Sequence, residues 1–316
     1  MKYAVKRLAA FLVTMLLVSL LAFIAFDLIS GDAATARLGT EATEEKVAAL
    51  REAMGLNRPL PVRYGEWLAG FFTGDLGISN SYSQPVRELI APKVVVTLWL
   101  SLLSFAIILV TSIPLGLWSV GRAGGRLDGF WAALDQFCMA VPPFFTGMLL
   151  SWIFGITLKW FTPGEFPDMK TDLGGALSYL LFAAAAIAIP RAAMTVRMLR
   201  STILGEMRKD YVRTAISRGN DRSGVLWRHV LKNALVPVVS FLAQTMAEIV
   251  AGSIVVEQVF AIPGLGRILV ASISNRDYPV VQAIVVILAF WVVLAGMAAD
   301  LVNQRIDPRL RLGGGT

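Results

Sequence analysis

Residues 94–120 read VVVTLWLSLLSFAIILVTSIPLGLWSV, without one charged side chain. An α-helix needs about 20 apolar residues to cross hydrocarbon, so this run is long enough to span. Its apolar residues are continuous, not alternating, and a backbone in hydrocarbon must satisfy its own hydrogen bonds. Both points predict a helix. Five further stretches repeat the pattern. Leu8 to Ile29 is broken only by Asp27. A third run covers about Leu134 to Leu158, and a fourth runs from Leu173 to Pro190 with an arginine-bearing continuation to Leu199. The fifth, Ala234 to Val256, contains Glu248, and the sixth is Tyr278 to Ala299.

The composition agrees. Of 316 residues, 56% are hydrophobic and only 16% are charged, with a mean hydropathy of +0.66. Soluble domains average about 45–50% apolar and about 25% charged, so a water-soluble fold and a disordered chain are both excluded. A single cysteine, Cys138, forms no internal disulfide, and with His229 as the one histidine there is no zinc-type cluster. The start, with Lys2, Lys6 and Arg7 before an apolar run and small residues at 33–36, has the outline of a secretion signal. Its apolar core exceeds the about 7–15 residues of such signals, which favours an uncleaved helix.

The formal charge of +7 invites a nucleic-acid reading, but the placement of the charges argues for topology. Lys2, Lys6 and Arg7 precede the first span, and Arg122 and Arg126 follow the second. Arg200, Arg208, Lys209, Arg213, Arg218, Arg222, Arg228 and Lys232 lie between the fourth and fifth. Arg305, Arg309 and Arg311 end the chain. Six alternating helices put all four groups on one side, the cytoplasm by the positive-inside rule, with both termini there. On the other side Lys159 and Lys170 are balanced by Glu165, Asp168 and Asp172.

Residues 31–93 are too many for a structureless loop, so a folded extracytoplasmic segment is expected after the first helix. Thr43 suits a helix cap, Glu44 and Glu45 suit a first turn, and Gly55 suits the stop of a helix over Thr43–Met54. Arg58-Pro59-Leu60-Pro61 reads as an extended connector, with Trp67, Phe71 and Phe72 as interfacial aromatics. The segment serves equally as a cap over the bundle or as a docking surface outside the cell. The chain therefore divides at 1–93 and 94–316, the second part carrying a cytoplasmic loop over 201–236.

That loop is the most informative stretch. Gly219-Asn220-Asp221 separates two helical pieces, with Ser223 placed to cap the second. Tyr211 to Arg218 forms a short amphipathic helix, suited to anionic lipid or to the groove of a cytoplasmic partner. A lipid-surface helix has no need of the sharp break and return, which favours a partner.

Here the sequence resembles the inner-membrane permeases of binding-protein-dependent ABC importers. Their Glu-Ala-Ala-x-x-x-Gly loop forms a coupling helix that fits a cleft in the ATPase subunit. The core here, Arg213-Thr214-Ala215-Ile216-Ser217-Arg218-Gly219, keeps only the alanine at 215 and the glycine at 219. The runs 210–215 (DYVRTA) and 228–237 (RHVLKNALVP) are more specific, and resemble the dipeptide, oligopeptide and nickel subclass. So do 55–64 (GLNRPLPVRY), 74–79 (GDLGIS), 259–267 (VFAIPGLGR), 275–280 (NRDYPV) and 307–310 (DPRL). One departure is Ser30-Gly31-Asp32-Ala33, where the family commonly has Pro-Gly-Asp-Pro.

The resemblance implies an all-α polytopic protein of the type I ABC importer fold with six transmembrane helices, in a bacterial or archaeal plasma membrane. It implies half of a pore for dipeptides or oligopeptides, paired with a second homologous permease, two cytoplasmic ATPases and an extracytoplasmic binding protein. Asp210, Tyr211, Arg213, Thr214, Ala215 and Gly219 become the ATPase-coupling residues. ATP and magnesium are expected at the ATPase subunits, with no cofactor, metal or catalytic residue on this chain. Consistently, it has no Gly-x-x-x-x-Gly-Lys phosphate loop, and Gly121, Gly124 and Gly125 sit in a short basic turn.

Charges inside spans are costly and therefore functional candidates, which singles out Glu248 and Arg191. They either line the substrate pathway, with Glu248 meeting a cationic group such as a peptide amine, or form a structural polar contact. Asp27, near a helix end, is expected to reach water. His229 lies in a basic cytoplasmic helix and reads as a structural or partner-contact residue, and Cys138 as packing. A nickel or metal-chelate importer is the alternative substrate class, and a non-transporting receptor or scaffold the alternative function.

Overall fold

The computed structural model describes residues 2–30, 35, 38, 43–53 and 55–306. The departure at 31–33, Met54, and the tail motif at 307–310 lie outside the described residues. The described elements are helices: α1 (Lys2–Ser30), α2 (Glu44–Ala53), α3 (Leu60–Thr73), α4 (Val86–Gly121), α5 (Asp128–Ala140) and α6 (Pro143–Leu150). Then come α7 (Leu173–Glu206), α8 (Asp210–Ser217), α9 (Arg222–Val225), α10 (Leu231–Val259), α11 (Leu265–Ser274) and α12 (Tyr278–Ile306). π-helical turns extend α6 over Ser151–Thr157 and join α9 to α10 over Leu226–Val230.

Among the described residues five helices are long and apolar enough to cross a membrane: Arg7–Leu28, Val86–Gly121, Leu173–Glu206, Ser223–Val259 and Tyr278–Val302. The third expected span differs from the sequence reading. Instead of one helix over 134–158, α5 and the α6 segment meet at a bend of 97° and make a sixth span only if counted together. The cause is the pair Pro142-Pro143. Pro142 is extended (φ −64°, ψ 147°) and caps α6, because proline supplies no N–H and disfavours helix in the residue before it.

The chain packs as two compact units. The first comprises 97–262 together with the end of α12 from Val292. Its α7 buries a run of small residues, Ala183, Ala184, Ala186 and Ala188, which lets neighbouring backbones come close. At Gly116 of α4 an added Cβ would stand 2.7 Å from the Leu199 side chain of α7, so any larger residue has to push that side chain aside. The fully buried Tyr179 O–H donates to the Phe260 carbonyl at 2.7 Å and accepts from the Gly164 N–H at 3.0 Å. It thereby satisfies two backbone groups where the chain leaves helical geometry. Phe161 packs edge-on against the same ring at 5.0 Å.

The second unit comprises 2–96 and 263–291. Helix α2 begins as expected, the Lys46 N–H pointing to Thr43 Oγ1 at 3.4 Å, and ends at Gly55 with φ +66°. Helix α3 starts at Leu60, so Leu60 and Pro61 are not part of a connector; a proline in the first turn costs no hydrogen bond. Trp67 packs on Phe23 of α1 at 5.8 Å and on Phe71 at 5.6 Å, while Phe72 stays 80% exposed. Asp27 is not left to water: Arg63 of α3 holds it at 2.5 Å, with both side chains largely covered.

A buried polar joint of this unit is centred on Asp277, fully buried before α12. Its carboxylate accepts from Ser79 Oγ at 2.5 Å, from the Asn80 N–H at 3.0 Å and from the Ser81 N–H at 3.2 Å. Ser79 Oγ in turn accepts from the Tyr82 N–H at 2.9 Å. The loop after α3 is thus folded around an acid some two hundred residues away. Replacing Asp277 with alanine strands these donors, at a cost of about 3 kcal/mol or more. Asp277→Ala should therefore lower the unfolding midpoint of the membrane-embedded protein and open residues 74–85 to limited proteolysis. Asp277→Asn, which keeps an acceptor, should lose less. Wild-type midpoints and cleavage for both variants would refute the joint.

Candidate functional site

The sequence singled out the cytoplasmic segment and the intramembrane charges, and the structure gives each a geometry. The six residues predicted for coupling lie on α8 and its end. Lys209 is extended and leads into α8, whose first turn carries Asp210, a favourable charge at a helix N-terminus. Val212 is buried and Tyr211 and Ala215 are half-buried. Arg213, Thr214, Ile216 and Ser217 are exposed. The outer face therefore combines a basic side chain, hydroxyls and one aliphatic residue.

Gly219 turns the chain with φ +86° and donates its N–H to the Ile216 carbonyl at 2.9 Å. A Cβ there would meet nothing within 4 Å, so the requirement is conformational, not steric crowding. Asn220 closes the turn, its Nδ2 donating to the Ala215 carbonyl at 3.0 Å. The next helix is capped by Asp221, which accepts from the Gly224 N–H at 3.0 Å. The cap is two residues earlier than the expected Ser223, because the helix already begins at Arg222.

Tyr211 is the joint that holds α8. Its hydroxyl donates to Glu206 Oε2, at the end of α7, at 2.9 Å and accepts from Asn233 Nδ2, on α10, at 3.4 Å. Lys209 also pairs with Glu206. Burial, and then the bond to Glu206, push the Tyr211 phenol above its ordinary range, so it keeps its proton at physiological pH. One side chain thus ties α8 to both transmembrane helices that flank it. His229 is exposed on the π-helical turn. Among the described residues no group of three His, Cys, Asp or Glu is placed to hold a metal.

Inside the membrane, Arg191 of α7 and Glu248 of α10 form an ion pair, and Gln244 Nε2 donates to the other Glu248 oxygen at 3.1 Å. The pair is 27% and 36% exposed, so it is not sealed in the core. Cys138 lies with Asp135 on an apolar cavity of about 230 Å³ between α4, α5 and α7.

Two acids escaped the sequence reading. Glu257 is fully buried and accepts from Thr97 Oγ1 at 2.7 Å. The predicted fifth span stopped at Val256, one residue short of it. Asp277 stood within a noted motif, but its partner motif lies at 74–79, and nothing local joins the two. An acid at the very edge of an apolar run was the available signal for the first.

Residues 112–312 match the family described as binding-protein-dependent transport system inner membrane component, and residues 1–86 match its N-terminal counterpart. The chain belongs to this family. It is 37% identical to a putative peptide transport system permease of Brucella abortus, over 97% of this chain and 98% of that one. A glutathione transport system permease of Pectobacterium atrosepticum is 34% identical over 98% and 99%. A probable peptide ABC transporter permease of Sinorhizobium fredii is 31% identical over the same shares. The protein is thus a multi-pass inner-membrane permease subunit of an ABC importer with the all-helical type I fold.

Because one hydroxyl joins α7, α8 and α10, Tyr211→Phe should loosen α8 without unfolding the bundle. A hydrogen bond of this kind contributes about 0.5–1.5 kcal/mol, so amide exchange across 210–219 should rise about two- to tenfold. Exchange in α4 should stay unchanged. Equal protection of α8 in variant and wild type would show that the joint does not hold it.

Proposed function

We propose that this chain forms half of the transmembrane pathway of an importer that moves dipeptides or oligopeptides into the cytoplasm. A second homologous permease supplies the other half. Two cytoplasmic ATPases bind ATP and magnesium and drive the cycle, and an extracytoplasmic binding protein delivers the substrate. The termini and α8 lie on the cytoplasmic side, following the basic residues around them.

The observation that carries this reading is α8 itself. It is a short exposed helix, anchored through Tyr211 to α7 and α10 and ended by a left-handed glycine. A rigid lever fixed to two spans passes a push on its outer face directly into the bundle. ATP-driven closure of the ATPases would shift α8 and bias the pathway between inward-open and outward-open states. The relatives' names, peptide and glutathione permeases, support a peptide substrate.

The direct test is reconstitution of the chain with its partner subunits in proteoliposomes. Labelled di- or oligopeptide should accumulate only with ATP and the loaded binding protein. Absence of peptide uptake by a complex whose ATPase responds to the binding protein would overturn the peptide assignment.

The lever itself is tested at Gly219. A β-branched residue there is forced into a left-handed conformation costing about 1–3 kcal/mol, which tilts or frays the end of α8. Gly219→Val should assemble normally yet lower the peptide taken up per ATP hydrolysed, by about tenfold if the whole penalty falls on coupling. Unchanged stoichiometry would remove α8 from the coupling path.

A further inference from the structure

From Ser240 onward the exposed positions of α10 are Ser240, Gln244, Ala251, Val255 and Gln258, and the half-buried Glu248 falls in line with them. Their spacings of four and three place them on one face of a helix, and from first to last they cover about 27 Å at 1.5 Å per residue. That is close to the thickness of a hydrocarbon core, about 30 Å. The opposite face is buried and carries Val238, Leu242, Ile249 and Val256. A face with one carboxylate and two amides does not belong against lipid tails. Nor does it resemble the centre of a permanent subunit interface, which is apolar and rich in aromatic residues. Its side chains are short or polar, as a wet surface requires.

Arg191 reaches this face from α7. It meets Glu248 through Nη1, and among the described residues its Nη2 and Nε take no partner. Both Glu248 oxygens are in use, one by Arg191 and one by Gln244. The open capacity at this point of the membrane is therefore a guanidinium edge, whose planar donor pair matches a carboxylate. Glu248 supplies the counter-charge when no other carboxylate is present, so the arginine is never left as an unpaired charge in the membrane.

We infer that this face of α10 lines the hydrated pathway, and that Arg191 is a mid-membrane binding site for the carboxylate of the passing peptide, with Glu248 as the exchangeable ion that takes its place afterwards. The lining stands on the geometry of α10 alone, whereas the carboxylate assignment rests on the peptide reading proposed above.

The test uses the full importer in proteoliposomes with Cys138→Ser as background. Single cysteines replace Ser240, Gln244 or Ala251, with Val110, an apolar position of α4 that is 72% exposed, as the control. A charged, membrane-impermeant thiol reagent present on both faces should label the three α10 positions at least about tenfold faster than Val110, because only a water path carries a charged reagent to mid-membrane depth. Labelling no faster than at Val110 overturns the lining, whatever the substrate. Peptide uptake is then compared in Arg191→Gln and in the exchange Arg191→Glu with Glu248→Arg. Arg191→Gln should lose about tenfold or more of uptake while ATP hydrolysis stimulated by the loaded binding protein stays within about twofold. The exchange should assemble like the wild type but not regain uptake, since it moves the guanidinium to the other helix. Recovered uptake in the exchange would make the pair structural and overturn the carboxylate site. A wild-type complex that moves no peptide overturns the peptide reading and the carboxylate site with it, while the labelling still decides the lining.

Discussion

A peptide group without a hydrogen-bond partner costs several kcal/mol in hydrocarbon, and the architecture follows from that constraint. It makes each long apolar run a helix, and it governs how the helices are interrupted. Pro190 and Pro237 sit inside α7 and α10 without ending them. The double proline at 142–143 breaks its span outright, and the lost bonds there are confined to one sharp corner. Where the chain leaves helical geometry beside the core, side chains take over the accounting. Tyr179 serves a carbonyl and an N–H at one end of the first unit, and Asp277 serves two N–H groups and a hydroxyl in the second.

The same economy applies to charge. Asp27 meets Arg63, Glu248 meets Arg191 and Gln244, and Asp128 meets Arg200 at 2.5 Å. Burying an isolated carboxylate is costly, so each acid is placed where a donor from another helix reaches it. These contacts also register one helix against the next at fixed points, which apolar packing between smooth faces does less sharply. Of these three pairs, Arg191–Glu248 is the most exposed, and it sits within two apolar spans. That combination separates a candidate transport residue from a structural one.

The position of α8 rests on a similarly local device. Helix α8 has too little buried surface to hold its own position, with Val212 its one fully buried side chain. Tyr211 fixes it instead, by hydrogen bonds to the end of α7 and to α10. The helix is thereby secured to two long ones while its outer face, with Arg213, Thr214 and Ile216, stays exposed.

The spans, the α8 helix and its stop at Gly219 were legible in the sequence because each depends on nearby residues: apolar run length, a basic amphipathic segment, and a glycine where φ turns positive. Family membership was legible too, since its motifs are short contiguous runs. What the tertiary structure alone decided are the partnerships between distant positions. Asp27 found Arg63 rather than water, Asp277 closed on the loop at 79–82, and Glu257 took a bond from Thr97. Glu248 and Arg191, named in advance as charges in the wrong medium, gained a meaning only when α7 and α10 brought them together. The physical reason is common to all four. Periodicity and composition report how one segment relates to its solvent, whereas the partner of a buried charge is set by which helices pack side by side.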